Sequence, residues 1–282
     1  MAIVLDSNQV RILCDQLGKK PQLLSLYVIL PPHVLAELIL WGNQACLNRL
    51  YTLRPRIGMD HVHVMSALAS CNEDEIRTFR PFPSPTTGNS NLYDQLVNAL
   101  KGPSQRHHRW ATDLKATNKD FCGRVKKSAL DFRKYIRDEI SAGNIQGGYK
   151  VASIEDAFDA FGKGPHSFIG SVVSATLSEG GKRQVVINDP DKLYDAVMAN
   201  PFVSGLFKII LFYFLSYSRM WDHNHQRLNF DPTADRDDWT DMTVPFYAAP
   251  GDTILTQDKK LCDAIASVYG TGNLIVKKAS DL

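Results

Sequence analysis

The chain opens on four consecutive apolar residues, Ala2-Ile3-Val4-Leu5, and Asp6 stops them. A continuous apolar run predicts a strand covered on both faces, because a strand with a solvent side alternates. Residues 7–17 read as a helix that stops near Gly18. The next strand candidate is 23–30, which ends in the run Leu26-Tyr27-Val28-Ile29-Leu30. Pro31-Pro32 then fixes a turn, with Pro32 suited to the first position of a helix. That helix, 33–41, places Val34, Leu35, Leu38 and Trp41 on one apolar face. Residues 47–51 and 62–69 continue the helical pattern.

Further on, 79–91 (FRPFPSPTTGNSN) is rich in Pro, Ser, Thr, Gly and Asn and predicts a loop. Helical patterns follow at 93–100, 121–140 and 154–161, interrupted by glycines at 143–148 and again at 162–165. From Asp191 a helix pair leads into the acidic segment DDWTD. A short strand at 253–255, a helix at 258–269 and a strand at 273–276 close the chain. Strands alternating with helices at both ends predict an α/β fold with a central parallel sheet. The middle, 72–190, reads as a mostly helical insertion into a single domain whose core comes from about 1–71 and 191–282.

Composition changes this picture little. The 44% hydrophobic content suits a packed core, and a net charge of +2 gives no direction as to partners. Local charge is more informative. Residues 101–150 hold twelve Lys/Arg against five acids, whereas 231–258 hold seven Asp and one Arg. The first stretch attracts a polyanion, and the second repels one unless cations intervene. Five dispersed cysteines without a CxxC read as reduced, mostly structural thiols of a cytoplasmic protein. The N-terminus lacks the basic start of a signal peptide. The apolar stretch 202–217 contains Lys208 and is short of the roughly 20 residues a bilayer requires, so it predicts a buried core helix and no membrane partner.

The candidate chemistry lies in the acids. Asp6 and Asp258 each follow an apolar run, and Glu37 is on an early turn of the helix after the second strand. In an open parallel sheet, ligands sit beyond the carboxyl ends of the strands. Asp238 and Asp241 are three apart and share a helical face. Two carboxylates at about 4 Å repel by roughly 1 kcal/mol in water and about 4 at an effective dielectric of about 20. Several converging acids therefore need cations between them. Oxygen donors without a Cys or His partner favour Mg²⁺ or Mn²⁺ over zinc.

Four segments in this order, IVLDSN, PPHVLAELI, DDWTDM and ILTQDKKL, resemble those of the PIN-domain nuclease family. They cover about 1–70 and 190–282. The resemblance implies a three-layer α/β sandwich with the first strand central. It also implies an endonuclease that cleaves single-stranded RNA with one or two Mg²⁺ or Mn²⁺ ions. On the same basis Asp6, Glu37, Asp241 and Asp258 are catalytic metal ligands and Asp238 an additional one, with Asn8 and Thr256 in support. RNA, or single-stranded DNA, is the implied partner and a homodimer a common assembly, with any antitoxin or other protein partner left open. The long insertion departs from the small toxins of the family. Two other classes stay open: a nucleic-acid-binding or scaffold protein that keeps this core without cutting, and a flap-type deoxyribonuclease whose helical arch the insertion would mimic.

Simpler roles compete for the same residues. Asp6 and Asp258 are both good helix caps. Glu37 alone would suit a solvent-facing helix position, and Asp237 would favour a helix N-terminus by charge. The cations from Arg106 to Arg137 read equally as a solvated helix face or as a nucleic-acid surface. For the latter, Arg106, Arg109 and Trp110 combine phosphate binding with stacking, and Arg124, Lys126 and Lys127 extend the track. The pairs His61/His63 and His223/His225 lack a third ligand and read as structural. Gly162-Lys163-Gly164 lacks the remainder of a P-loop, and no GxSxG is present.

Overall fold

The computed structural model of the protein describes residues 1–58, 95–142, 153–163, 168, 190–199, 201–217, 221–222, 227–228, 243–270 and 273–282. In chain order its main elements begin with β1 (Ile3–Leu5), α1 (Ser7–Leu17), β2 (Val28–Leu30), α2 (Pro32–Trp41), α3 (Gln44–Thr52) and β3 (Arg56–Ile57). Four helices follow: α4 (Gln105–Ser141), α5 (Ile154–Gly162), α6 (Pro190–Met198) and α7 (Pro201–Tyr217). The chain ends with β4 (Trp221–Asp222), β5 (Arg227–Leu228), β6 (Thr253–Leu255), α8 (Lys259–Tyr269) and β7 (Ile275–Lys277). The expected helix at 62–69, the loop at 79–91, the glycine run at 143–148 and the DDWTD segment lie outside the described residues.

Five strands form an all-parallel sheet in the order β3-β2-β1-β6-β7, with β4 and β5 as a separate antiparallel pair. β1 is central. It pairs Ile3 with Val28 on one side and with Thr253 on the other. Side chains alternate between the two faces of a strand. Ile3, Leu5, Val28 and Leu30 join a core cluster with α1, α2 and α3. Val4, Ile29 and Ile254, on the other parity, are just as buried. Both faces of the central strands are therefore covered, consistent with an α/β sandwich, while the edge strand β7 is exposed. Successive steps from β1 to β3 move one way across the sheet, and the step from β6 to β7 moves the other way. Because parallel crossovers are right-handed, α1–α3 and α8 belong on opposite faces. The reversal falls between β1 and β6.

Some local expectations differ from the structure. The second strand is only Val28–Leu30, because Pro21 opens a 3-10 turn that takes Pro21–Ser25. On α2, Val34, Leu35 and Leu38 are buried, but Trp41, at the last position, is 51% exposed. Pro32, His33 and Ala36 are buried as well, because α4 packs extensively along α2. Helix α4 starts sixteen residues earlier than 121, the first residue of the sequence pattern. Its polar-rich first half conceals a spine of Ala111, Leu114, Asn118 and Cys122, all buried. Ala111 and Leu114 join the core cluster, so this part of the central stretch packs against the sheet's helices.

Among the described residues no single helix is long and apolar enough to cross a membrane. α6 and α7 are bent by 112° relative to each other, and Val203, Leu206, Phe207 and Ile210 of α7 are buried in the protein. Cys14, Cys46 and Cys262 are free thiols.

Candidate active site at the β1–β6 switch point

A reversal of strand order separates the loops leaving two adjacent strands, and the crevice between them is where open α/β sheets bind ligands. Here that crevice receives Asp6 from the end of β1, and Thr256 and Asp258 from the end of β6. The Asp6 amide donates to the Leu255 carbonyl (3.1 Å), which continues the β1–β6 pairing up to the acid itself.

Asp6 occupies the N-cap position of α1 in an extended conformation, yet its side chain makes no capping bond. Its Oδ2 accepts instead from Thr256 Oγ1 (2.5 Å) and Asn8 Nδ2 (2.6 Å). Its Oδ1 is buried and has no hydrogen-bond partner among the described residues. The residue is 1% exposed. Burial pushes its carboxyl above the ordinary carboxylate range and the charge of Asp258 pushes the same way. The Thr256 hydroxyl, the Ser7 amide and the Asn8 amide oppose them.

Asp258 performs the capping role its position predicts. Its Oδ1 caps α8 by accepting from the amides of Lys260 (2.7 Å) and Leu261 (3.2 Å). Its own amide donates to Thr256 Oγ1 (3.0 Å), so one hydroxyl joins the two acids. Cys262, one turn into α8, has its thiol pushed up by burial and by the charges of Asp258, Asp263 and Asp6.

Gln9 supports the arrangement from behind. It is fully buried, its Nε2 donates to Asn8 Oδ1 (2.9 Å), and its Oε1 accepts from the Ala279 amide (2.7 Å). A glutamine on the first turns of a helix carries no sequence signal for such a role. Asp252, by contrast, belongs to the start of β6. There it accepts from the Ala2 and Ala249 amides, and its role is structural.

Glu37 is on the helix that follows β2, the strand next to β1. It is half-buried on the second turn of α2, in a recess of about 20 Å³ shared with His33, Leu114, Lys115, Asn118 and Lys119. Asp6, Asn8, Thr256 and Asp258 do not line that recess. Asn118 stands out within it, at 3% exposure with Oδ1 unpartnered among the described residues. Among the described residues no three His, Cys, Asp or Glu stand close enough to hold a metal ion. Asp237, Asp238 and Asp241, and the pairs His61/His63 and His223/His225, lie outside the described residues.

Of the candidate nucleic-acid residues, Arg106, Arg109 and Lys127 are exposed on α4, and the side chains of Arg124 and Lys126 lie outside the described residues. Trp110 is half-buried and packs against the core cluster. At about 100° per residue, Arg109 and Lys127 share an azimuth roughly 27 Å apart along the axis. That face is opposite the Ala111–Leu114–Asn118–Cys122 spine. Lys115 and Lys119 flank the spine and stand beside Glu37.

No family model, no curated protein and no solved structure matches this chain.

Proposed function

We propose that the protein is a metal-dependent endoribonuclease acting on single-stranded RNA, with a PIN-like core. The observation that carries this reading is the buried, unpartnered Oδ1 of Asp6 at the switch point, next to a second carboxylate. A buried carboxylate oxygen without a donor is costly unless a cation completes it. The donors fit Mg²⁺ or Mn²⁺, since they are oxygens with no thiolate or imidazole among those at β1 and β6. Asp6 and Asp258 would hold the ion, with Glu37, Asp238 and Asp241 as the further ligands of the proposal. Such an ion supplies Lewis-acid chemistry, making water a better nucleophile toward phosphorus and steadying charge on the leaving oxygen.

The chain's own residues do the positioning. Thr256 and Asn8 occupy Oδ2 of Asp6 and leave Oδ1 for the ligand, while Gln9 holds Asn8 in place. Capping of α8 fixes Asp258 in one rotamer. Lys115 and Lys119, beside Glu37, are the cations placed to meet a phosphate backbone there.

A cleavage assay with Mn²⁺ on matched single-stranded RNA, double-stranded RNA and DNA tests the proposal. Wild-type protein is expected to cut single-stranded RNA first, and Asp6→Asn to abolish cutting while leaving the fold intact. Undiminished activity in Asp6→Asn would contradict it, and preference for branched DNA would move the assignment to a flap-type deoxyribonuclease. The exposed Arg106–Arg109–Lys127 face favours a second reading, a nucleic-acid-binding module without cleavage. That reading predicts tight oligonucleotide binding by a wild-type protein that cuts none of the three substrates.

A further inference from the structure

At the opposite edge of the sheet from Asp6 and Asp258 is a cavity of about 710 Å³. It is bounded by α5, α7, the 248–250 segment that leads into β6, and the connection from α8 to β7. These last two segments precede strands, whereas Asp6 and Asp258 follow them. The volume falls within the roughly 300–1,000 Å³ that small-molecule sites occupy. Small side chains open the space: Ser204 and Gly205 on α7, and Ala248 and Ala249 on the facing segment. Tyr269 packs so tightly on Gly205 that an added Cβ would come within 2.7 Å of its hydroxyl oxygen. Its ring completes an apolar wall with Val268 and Leu274.

Among the described residues one cation, Lys208, lines this wall. Lys208 is the only charged residue in the seventeen of α7, a helix otherwise suited to a core. Its side chain is 13% exposed, and its ammonium meets both carboxylate oxygens of Glu155 at 2.7 Å. Glu155, on the first turn of α5, is 57% exposed. The ammonium also lies 5.9 Å from the centroid of the buried Phe158 ring, and a pair with one member mostly in solvent contributes little to stability. The carboxylate is the more exposed member of the pair, and the lysine the more buried. Among the described residues, the mostly apolar lining then carries Lys208 as its cation, with Glu155 at its rim.

We propose that this cavity binds a medium-chain organic carboxylate, whose head group replaces Glu155 on Lys208 and whose apolar body fills the chamber. The proposal stands independently of the nuclease reading. Displacement of anilinonaphthalene sulfonate fluorescence tests it, with dodecanoate and dodecanol titrated into the full chain and into Lys208→Met, Glu155→Gln and Ala249→Phe. Wild-type protein is expected to bind dodecanoate saturably, one to one, and dodecanol at least about tenfold more weakly. Lys208→Met should weaken dodecanoate binding by about tenfold and Ala249→Phe should abolish it. Glu155→Gln should tighten it, since a competing charge is gone. Should Lys208→Met fail to fold, Glu155→Gln decides, because unchanged or weaker binding there overturns the proposal. Equal affinity for acid and alcohol, unchanged binding in folded Lys208→Met, or no binding by wild-type protein also overturns it.

Discussion

At the scale of single residues, the proposed chemistry rests on an acid held in an environment that disfavours its charge. Asp6 is raised by burial first, with the Asp258 charge adding to it. An acid whose folded pKa exceeds its unfolded value, about 3.9, holds more protons folded than unfolded between the two. Its ionisation therefore lowers stability as pH rises through that window, and the penalty is complete above the folded pKa. Asp6→Asn is thus expected to be more stable than wild type near neutral pH without divalent ions, with the gain vanishing below about pH 4. Urea midpoints measured across pH read this directly, and a difference independent of pH would contradict it. Thr256→Val removes the hydroxyl that both donates to Asp6 and accepts from the Asp258 amide. It should cost about 1–3 kcal/mol, seen as a fall in the thermal midpoint.

At the scale of elements, capping and the proposed metal ligation at Asp258 separate by substitution. Asp258→Asn keeps an acceptor for the Lys260 and Leu261 amides, so stability should hold while cleavage is lost. Asp258→Ala should lose cleavage and about 1 kcal/mol of stability together. The β3 end gives an independent packing test. A Cβ on Gly58 would overlap the buried Tyr247 ring, so Gly58→Ala should cost about 1–3 kcal/mol. Elements with strong local signals are legible from sequence: β1, α1, the Pro32 start of α2, and β6 followed by α8. Those that differ have competing local chemistry. Pro21 diverts the start of the second strand into a 3-10 turn, and the charged surface of early α4 masks its buried spine.

At the scale of the whole molecule, strand order brings the ends of β1 and β6 together across some 250 residues of sequence. Apolar runs ending in Asp mark both strand ends, which is why Asp6 and Asp258 can be named from sequence, whereas Asn8 and Thr256 come only with the family resemblance. Gln9 and Asn118 cannot be named, because their roles come from burial against distant segments that local pattern does not encode. Nor does spacing reveal that Glu37 belongs to a recess between α2 and α4. The same geometry ranks the cations. Lys115→Glu with Lys119→Glu should weaken single-stranded RNA binding and lower its salt slope by about 0.7 for each phosphate no longer neutralised. Arg106→Glu with Arg109→Glu, on the far face of α4, should disturb cleavage less, and a larger effect there would reverse the assignment.

The most direct measurement is calorimetric titration of Mn²⁺ into chelator-stripped protein, because it reads the Asp6–Asp258 crevice without requiring a substrate. A metal site at that crevice predicts saturable binding by the wild-type chain and its loss, or weakening by more than about tenfold, in folded Asp6→Asn. Equal binding by both proteins, or none by either, would contradict it.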